Sequence, residues 1–409
     1  MRKQVFSFFG FLILLLVATA ADGGIQANQF DTVLFGRIWR VTSYYVQDDI
    51  LRNPNDWAFL EPQGIVASDG VIYVSGGREE YESAGRLARY TYTSGGTLDY
   101  DGYVQMPDAE PDWWGPDGLT INASGSGYGS GVGQIVSVEY DAPSQIGVID
   151  SAGGSVTSRT PFGPAKDISY IPGRGEFAAL VDTGGGMEVA YYDASMTVTG
   201  LTFPDPIGSS AGLAGASASF GSWFTQTTQT QELLLAVGTA DGKNVLVAMN
   251  PAGETVGGWN NLPIEPKARI SLGGGFYEVL PAFGSIEAIA VDETDRLVFL
   301  GDYGNSMIHV LTEGGSPSPG DANLDSVVDS QDLESFAAYF GAGRVGWAEG
   351  DFNNDGRTDL HDFAILRAHF EQMPHAVTIP EPMTAAILGI AGAALCLRRR
   401  RGATNVSAG

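Results

Sequence analysis

Two stretches of the chain, starting 30 residues apart, place oxygen donors at the same intervals: Asp321, Asn323, Asp325, Val327, Asp329 and Asp332, then Asp351, Asn353, Asp355, Arg357, Asp359 and Asp362. Side-chain oxygens at positions 1, 3, 5, 9 and 12 with the position-7 carbonyl make the ~7-oxygen shell that Ca²⁺ takes when a chain wraps around it. Carboxylates this dense repel one another unless a hard cation sits among them. The spacing therefore predicts two Ca²⁺ sites, with Val327 and Arg357 acting through their backbone carbonyls and Asp329 through a water. Position 6 needs a left-handed backbone, which Gly356 adopts freely and Ser326 does not, so the second loop is expected to be the stronger. Thr358 stands at position 8, where an aliphatic residue is usual.

Each loop must be held by the element that follows it. Leu333–Phe340 and Phe363–Phe370 carry amphipathic patterns and are expected as helices whose apolar faces pack together. Two loop–helix repeats within 321–372, closed by Asp at position 12 and lacking an entering helix, resemble a type I dockerin, and the segment Trp347 to Gly356 adds to the likeness. That resemblance implies a cohesin-type partner touched by loop positions 10 and 11, here Ser330 and Gln331 in the first half and Leu360 and His361 in the second. The halves differ, so the swapped docking of symmetrical dockerins is not implied. The alternative is a calcium-stiffened spacer beside a membrane.

Upstream of a Gly/Ser/Pro linker at 313–320, residues 25–312 repeat a plan of short apolar strands joined by Gly/Asp turns. Gly64 and Gly118 stand 54 residues apart, Gly118 and Asp167 49. Periods near ~50 built from short antiparallel strands indicate propeller blades. The expected fold is mainly β: a β-propeller of five to seven blades, a small helical calcium module, and a C-terminal transmembrane helix, with a β-sandwich as the alternative for the large region. Glu287 to Val310 resembles an NHL or lactonase-type blade, and Phe35–Val46 is expected to close the ring. Aligned blades put Gln63, Asp117, Lys166 and Glu287 at one position, just before the innermost strand, where they would converge on a channel mouth able to take a glycan or a metal. The competing reading has them satisfying turn amides around a wet channel.

Catalytic material is sparse. Of the four histidines only His309 lies in the large region, and no phosphate-cradling Gly-Lys-Ser/Thr loop occurs. Paired carboxylates of a lactonase or glycosidase are the remaining enzymatic option. With 48 acidic against 22 basic residues the net charge is −26, which disfavours nucleic acid and favours calcium as counter-charge.

Both ends read as address signals. Arg2 and Lys3, an apolar run Val5–Val17 and Ala18-Thr19-Ala20 make residues 1–20 a secretory signal. At 379–401, Pro380-Glu381-Pro382, an apolar stretch and Arg398, Arg399, Arg400 and Arg401 resemble the PEP-CTERM sorting signal. This implies processing by an exosortase-type membrane protease, with the arginines held inside. The only cysteine, Cys396, lies in that stretch, so no internal disulfide is available. The sequence thus points to an exported cell-surface binding protein, anchored through the C-terminal helix before processing, with calcium at two sites, an exosortase-type processing enzyme, and a cohesin-like protein or extracellular glycan as partners. The alternative is a carboxylate-dependent hydrolase in polysaccharide breakdown.

Overall fold

The computed structural model describes residues 26–46, 62–76, 86–105, 116–140, 144–152, 156–228, 230–262, 266–273, 276–281 and 283–370. The expected secretory signal and the segment 379–401 lie outside them. Among the described residues no helix is long and apolar enough to cross a membrane.

Strands β1 (Gln26–Leu34) and β2 (Arg37–Tyr45) form a hairpin at the start. Four sheets of four antiparallel strands follow in order. The first holds β3 (Pro62–Ser68), β4 (Val71–Gly76), β5 (Arg86–Tyr92) and β6 (Leu98–Gln105). The second holds β7 (Gly118–Thr120), β8 (Gln134–Val138), β9 (Gln145–Asp150) and β10 (Val156–Pro161). In the third are β11 (Ala165–Ile171), β12 (Glu176–Asp182), β13 (Met187–Tyr192) and β14 (Val198–Pro204). The fourth has β15 (Ser210–Ala216), β16 (Leu233–Ala240), β17 (Lys243–Met249) and β18 (Thr255–Leu262), with the helix Ala218–Thr225 inserted after β15. A separate hairpin, β19 (Pro266–Gly273) with β20 (Phe276–Pro281), precedes β21 (Ile286–Asp292), β22 (Leu297–Asp302) and β23 (Met307–Gly315).

The innermost strands pack in a closed cycle, β3 on β7, β7 on β11, β11 on β15, β15 on β21 and β21 back on β3. This is a five-bladed β-propeller. The last blade is completed by the amino-terminal hairpin in the order β21-β22-β23-β2-β1, with Thr42 opposite Val310 and Ser43 opposite His309. Closure therefore falls to the stretch expected for it. Arg37–Tyr45 is the pairing strand, and Phe35 and Gly36 make the turn from β1.

Second strands run buried almost end to end, as in Leu233-Leu234-Leu235-Ala236-Val237 of β16 and Leu297–Asp302 of β22, because each blade is covered on both faces. The helix Ala218–Thr225 brings Phe220 and Phe224 into one cluster with Trp39 and Phe35. Beyond β23, the helices Ser330–Tyr339 and Leu360–His369 and a one-turn 3₁₀ segment Trp347–Glu349 surround a small core of Ala322, Val328, Phe336, Trp347, Phe352 and Leu366. Gly314 and Gly315 continue β23.

Candidate functional site

Each helix of the small module begins at the carboxylate that the sequence assigns to loop position 9. Asp329 accepts the Gln331 N–H at 2.8 Å and Asp359 accepts the His361 N–H at 2.7 Å. Asp332 and Asp362, at position 12, reach back to the N–H groups of Asp329 and Asp359 at 2.8 and 2.9 Å, completing a capping box on each helix. The helices consequently start three residues earlier than the apolar pattern alone implies.

The other oxygen of each position-12 carboxylate bridges to the loop entry. Asp332 Oδ1 accepts from Ala322 N, and Asp362 Oδ1 accepts from Phe352 N at 2.8 Å. At position 1, Asp321 Oδ2 accepts from Ser326 N, while Asp351 accepts from Asp355 N and Gly356 N. Positions 4 and 6 are left-handed in both loops: Leu324 at φ 60° and Ser326 at 71°, Asn354 at 59° and Gly356 at 82°. The turn thus recurs with a serine where glycine carries no strain.

Asp321, Asp332, Asp351 and Asp362 are buried, whereas Asn323, Asp325, Asn353 and Asp355 are exposed on the loop rims. Burial, reinforced by Asp362 and Asp355 and opposed by the Gly356 and Asp355 N–H groups, pushes the Asp351 carboxyl up to about 7. Burial likewise raises Asp321. The His361 N–H holds Asp359 below the usual range. Among the described residues no three His, Cys, Asp or Glu side chains are gathered closely enough to hold a metal as they stand, and the loops are closed by backbone hydrogen bonds. One atom is left over: Asp321 is 3% exposed and its Oδ1 has no hydrogen-bond partner. A buried carboxylate oxygen without a donor is costly unless a cation completes it. The all-oxygen donor set fits a hard ion such as Ca²⁺.

Thr358, buried at position 8, donates from Oγ1 to Glu349 O at 2.9 Å, which accounts for a hydroxyl where an aliphatic is usual. The positions carried over from the dockerin resemblance, Ser330, Gln331, Leu360 and His361, are all exposed, Leu360 at 70%.

In the propeller, Gln63, Lys166 and Glu287 are the residues skipped in the register of the innermost strands, each a bulge one residue inside the strand, and Asp117 directly precedes β7. Ala211 is the fourth-blade counterpart. Asp117 accepts from Tyr140 N at 2.7 Å, Lys166 lies 5.7 Å from the Tyr140 ring, and Ser285 donates to Glu287 at 3.2 Å. At least Asp117 thus serves a turn amide.

At the following position neighbouring inner strands approach closely. Gly64, Gly118, Asp167, Gly212 and Ala288 occupy it in the five blades, and a Cβ on Gly212 would lie 2.8 Å from Ala288 Cα. Asp167 is wholly buried there, accepting from Ile168 N at 2.7 Å and Leu213 N at 2.6 Å. Sequence reasoning chose its neighbour Lys166. The signal it passed over is a charged residue aligned with glycines and an alanine.

A cavity of about 150 Å³ is lined by residues of all five inner strands, including Ser68, Thr120 and Ser169, and by Glu293 just after β21. Thr120 Oγ1 and Ser169 Oγ already accept from Tyr170 N and Gly215 N, and Glu293 takes both the N–H and the hydroxyl of Ser217.

A Ser–His–Asp chain, unforeseen in the sequence, joins Ser43 Oγ to His309 Nδ1 at 2.7 Å and His309 Nε2 to Asp302 Oδ2 at 2.9 Å. Asp302 also accepts from Gly284 N and Asn305 N. All three side chains are sealed from solvent, so the chain binds strands and not substrate. Of the aromatics, Trp223 packs edge-on to Trp39 and Trp259 is buried under Arg344.

No family model matches the chain, and no curated protein matches it. Among solved structures it is similar to the glutaminyl cyclase of Myxococcus xanthus, at 13% identity and a TM-score of 0.41, over 66% of this chain and 93% of that one. It is also similar to the Pan2 WD40 domain of Neurospora crassa, at 10% identity and a TM-score of 0.32, over 72% and 90%. A chain of the mitotic checkpoint complex aligns at 10% identity and a TM-score of 0.31, over 68% and 71%. The propeller assignment stands on the strand topology described above.

Proposed function

We propose that this chain is an exported calcium-binding surface protein, in which the five-bladed propeller binds an extracellular ligand such as a glycan and the dockerin-like module holds two Ca²⁺ ions. The observation that carries the reading is the unpartnered, buried Oδ1 of Asp321 inside a loop whose left-handed positions 4 and 6 recur in its twin. Asp321, Asn323, Asp325, Asp329 and Asp332 with the Val327 carbonyl would hold one ion. Asp351, Asn353, Asp355, Asp359 and Asp362 with the Arg357 carbonyl would hold the other. The ions supply positive charge that draws the rim and buried oxygens of each loop together, and the capped helices hold the ends of each loop.

Export and sorting rest on residues 1–20 and on the PEP-CTERM-like segment 379–401, with an exosortase-type enzyme as processing partner. The exposed Ser330, Gln331, Leu360 and His361 are the surface for a cohesin-like protein. The hydrolase alternative calls for two acids free to act in one cavity. Among the described residues Glu293 is the carboxylate lining the axial cavity and is held by Ser217. Of the two acids lining the cavity at the module seam, Glu349 is tied to Lys243 and Asp31 to Arg40. The binding reading is therefore adopted. Calorimetric titration of the full chain with CaCl₂ tests the calcium assignment: two bound ions are expected, and the absence of any calcium-dependent heat or change in melting would overturn it.

A further inference from the structure

The module is seated on the rim of the propeller, and the second acidic loop together with the segment Arg344–Glu349 makes the seat. In the second loop Asn354, at position 4, donates from Nδ2 to Gly257 O of β18 at 2.7 Å. A Cβ on Gly258 would lie 2.6 Å from Asn354 O, so only glycine lets the two backbones approach this closely. Gly356, at position 6, lies against Trp259. In the first loop Leu324, the matching position 4, packs on the module core from the same side as Val33 of β1. The second loop thus turns position 4 to the outermost strand of the fourth blade, and both loops leave positions 10 and 11 exposed.

A polar cluster pins the seam. Lys243 Nζ of β17 meets Glu349 Oε1 at 3.0 Å and lies 5.0 Å from the Tyr339 ring; Asn261 Nδ2 donates to the same Glu349 oxygen at 3.2 Å. Glu349 Oε2 accepts from Gly346 N, and Glu349 O accepts from Thr358, which leads back into the second loop.

We infer that calcium acts as an intramolecular clamp: the ion in the second loop fixes the module onto the fourth blade, and the first partner of the module is this chain's own propeller. The inference rests on the proposed calcium occupancy and goes beyond it. Its physical basis is position. Asn354 stands between Asn353 and Asp355, ligands 3 and 5, so an ion that fixes those two residues fixes the backbone that bonds to Gly257. When the ion leaves, carboxylate repulsion opens the loop and that geometry is lost. By linkage, docking raises calcium affinity by the same factor that calcium raises docking.

The zero-length carbodiimide cross-link between Lys243 and Glu349, quantified by mass spectrometry on the full chain, reads docking directly. Its yield is expected to fall at least about fivefold when calcium is chelated. Asn354→Ala, which removes the contact and no ligand, is expected to lower the yield similarly in calcium while calorimetry still counts two ions; Val198→Thr, on the exposed edge of the third blade, leaves both unchanged. A cross-link equally strong after chelation, in a protein shown by calorimetry to bind two ions, would overturn the clamp and leave the calcium reading standing. Absence of any calcium heat would overturn both.

Discussion

Ser43 of β2 and His309 of β23 face each other across the seam that closes the ring, joined by a 2.7 Å hydrogen bond with neither side chain reachable by solvent. Asp302 holds the opposite edge of the imidazole, and Phe283 packs edge-on to it at 4.7 Å. Strand β2 of the amino-terminal hairpin and strands β22 and β23 of the last blade are therefore stapled by a buried polar chain in which every member is bonded, the condition under which such a chain helps a fold.

Replacing His309 by Ala leaves a cavity and strips Ser43 of its partner. About 3 kcal/mol of stability should be lost, against about 1 kcal/mol for Ser43→Ala. Urea unfolding followed by tryptophan fluorescence checks this; equal, near-zero shifts for both variants would show that the staple contributes nothing.

Ser326 sits at φ 71°, where its twin Gly356 sits at 82°. The left-handed strain on a residue with Cβ is roughly 1–2 kcal/mol, and the extra unfolded-state freedom of glycine costs ~0.4–1 kcal/mol, so strain wins. Ser326→Gly is expected to tighten calcium binding at the first loop severalfold. Calorimetry with the two sites resolved reads it, and a weakened first site would contradict the turn geometry.

Asp167 lies buried at a position that glycines and an alanine hold in the other blades. Burial raises its carboxyl well above the ordinary 3.8, the Leu213 and Ile168 N–H groups oppose the rise, and the Asp117 charge adds to it. A group whose folded-state pKa is raised stabilises fully below the ordinary value, and that stability is lost as pH rises through the folded value. The melting temperature of Asp167→Asn, relative to that of the native protein, should therefore climb from pH 4 toward pH 8. A difference that stays flat over this range would mean that Asp167 titrates normally.

The approach of β3 to the residue before β7 is sterically tight. Gly64→Ala would put a Cβ 2.7 Å from the Asp117 carbonyl oxygen, a backbone atom that cannot swing away. About 1–3 kcal/mol should be lost, by thermal melting, with calcium stoichiometry unchanged.

The repeats were legible because each blade writes its own strand–turn–strand period, and ring closure was legible because Phe35–Val46 carries an apolar strand pattern that can pair with the last blade. The turn of both acidic loops could be placed from residue spacing alone, down to the left-handed backbone at Ser326. What escaped were features made only by assembly. The contact of Asn354 with Gly257 joins residues 97 apart, and the Ser43–His309 pair joins residues 266 apart. Strand β1 escaped because it pairs with its neighbour beyond the apolar period. The bulge at Lys166 escaped because a β-bulge shifts the register by one residue, which the apolar pattern does not record.

Crystals grown in CaCl₂ and measured for anomalous scattering put the central claim to its most direct trial. The account predicts two peaks, each with oxygen ligands at roughly 2.3–2.6 Å, the first including Asp321 Oδ1 and the second enclosed by Asp351, Asn353, Asp355 and Asp362. Two loops free of anomalous density, with Asp321 Oδ1 bonded to protein or water alone, would contradict it.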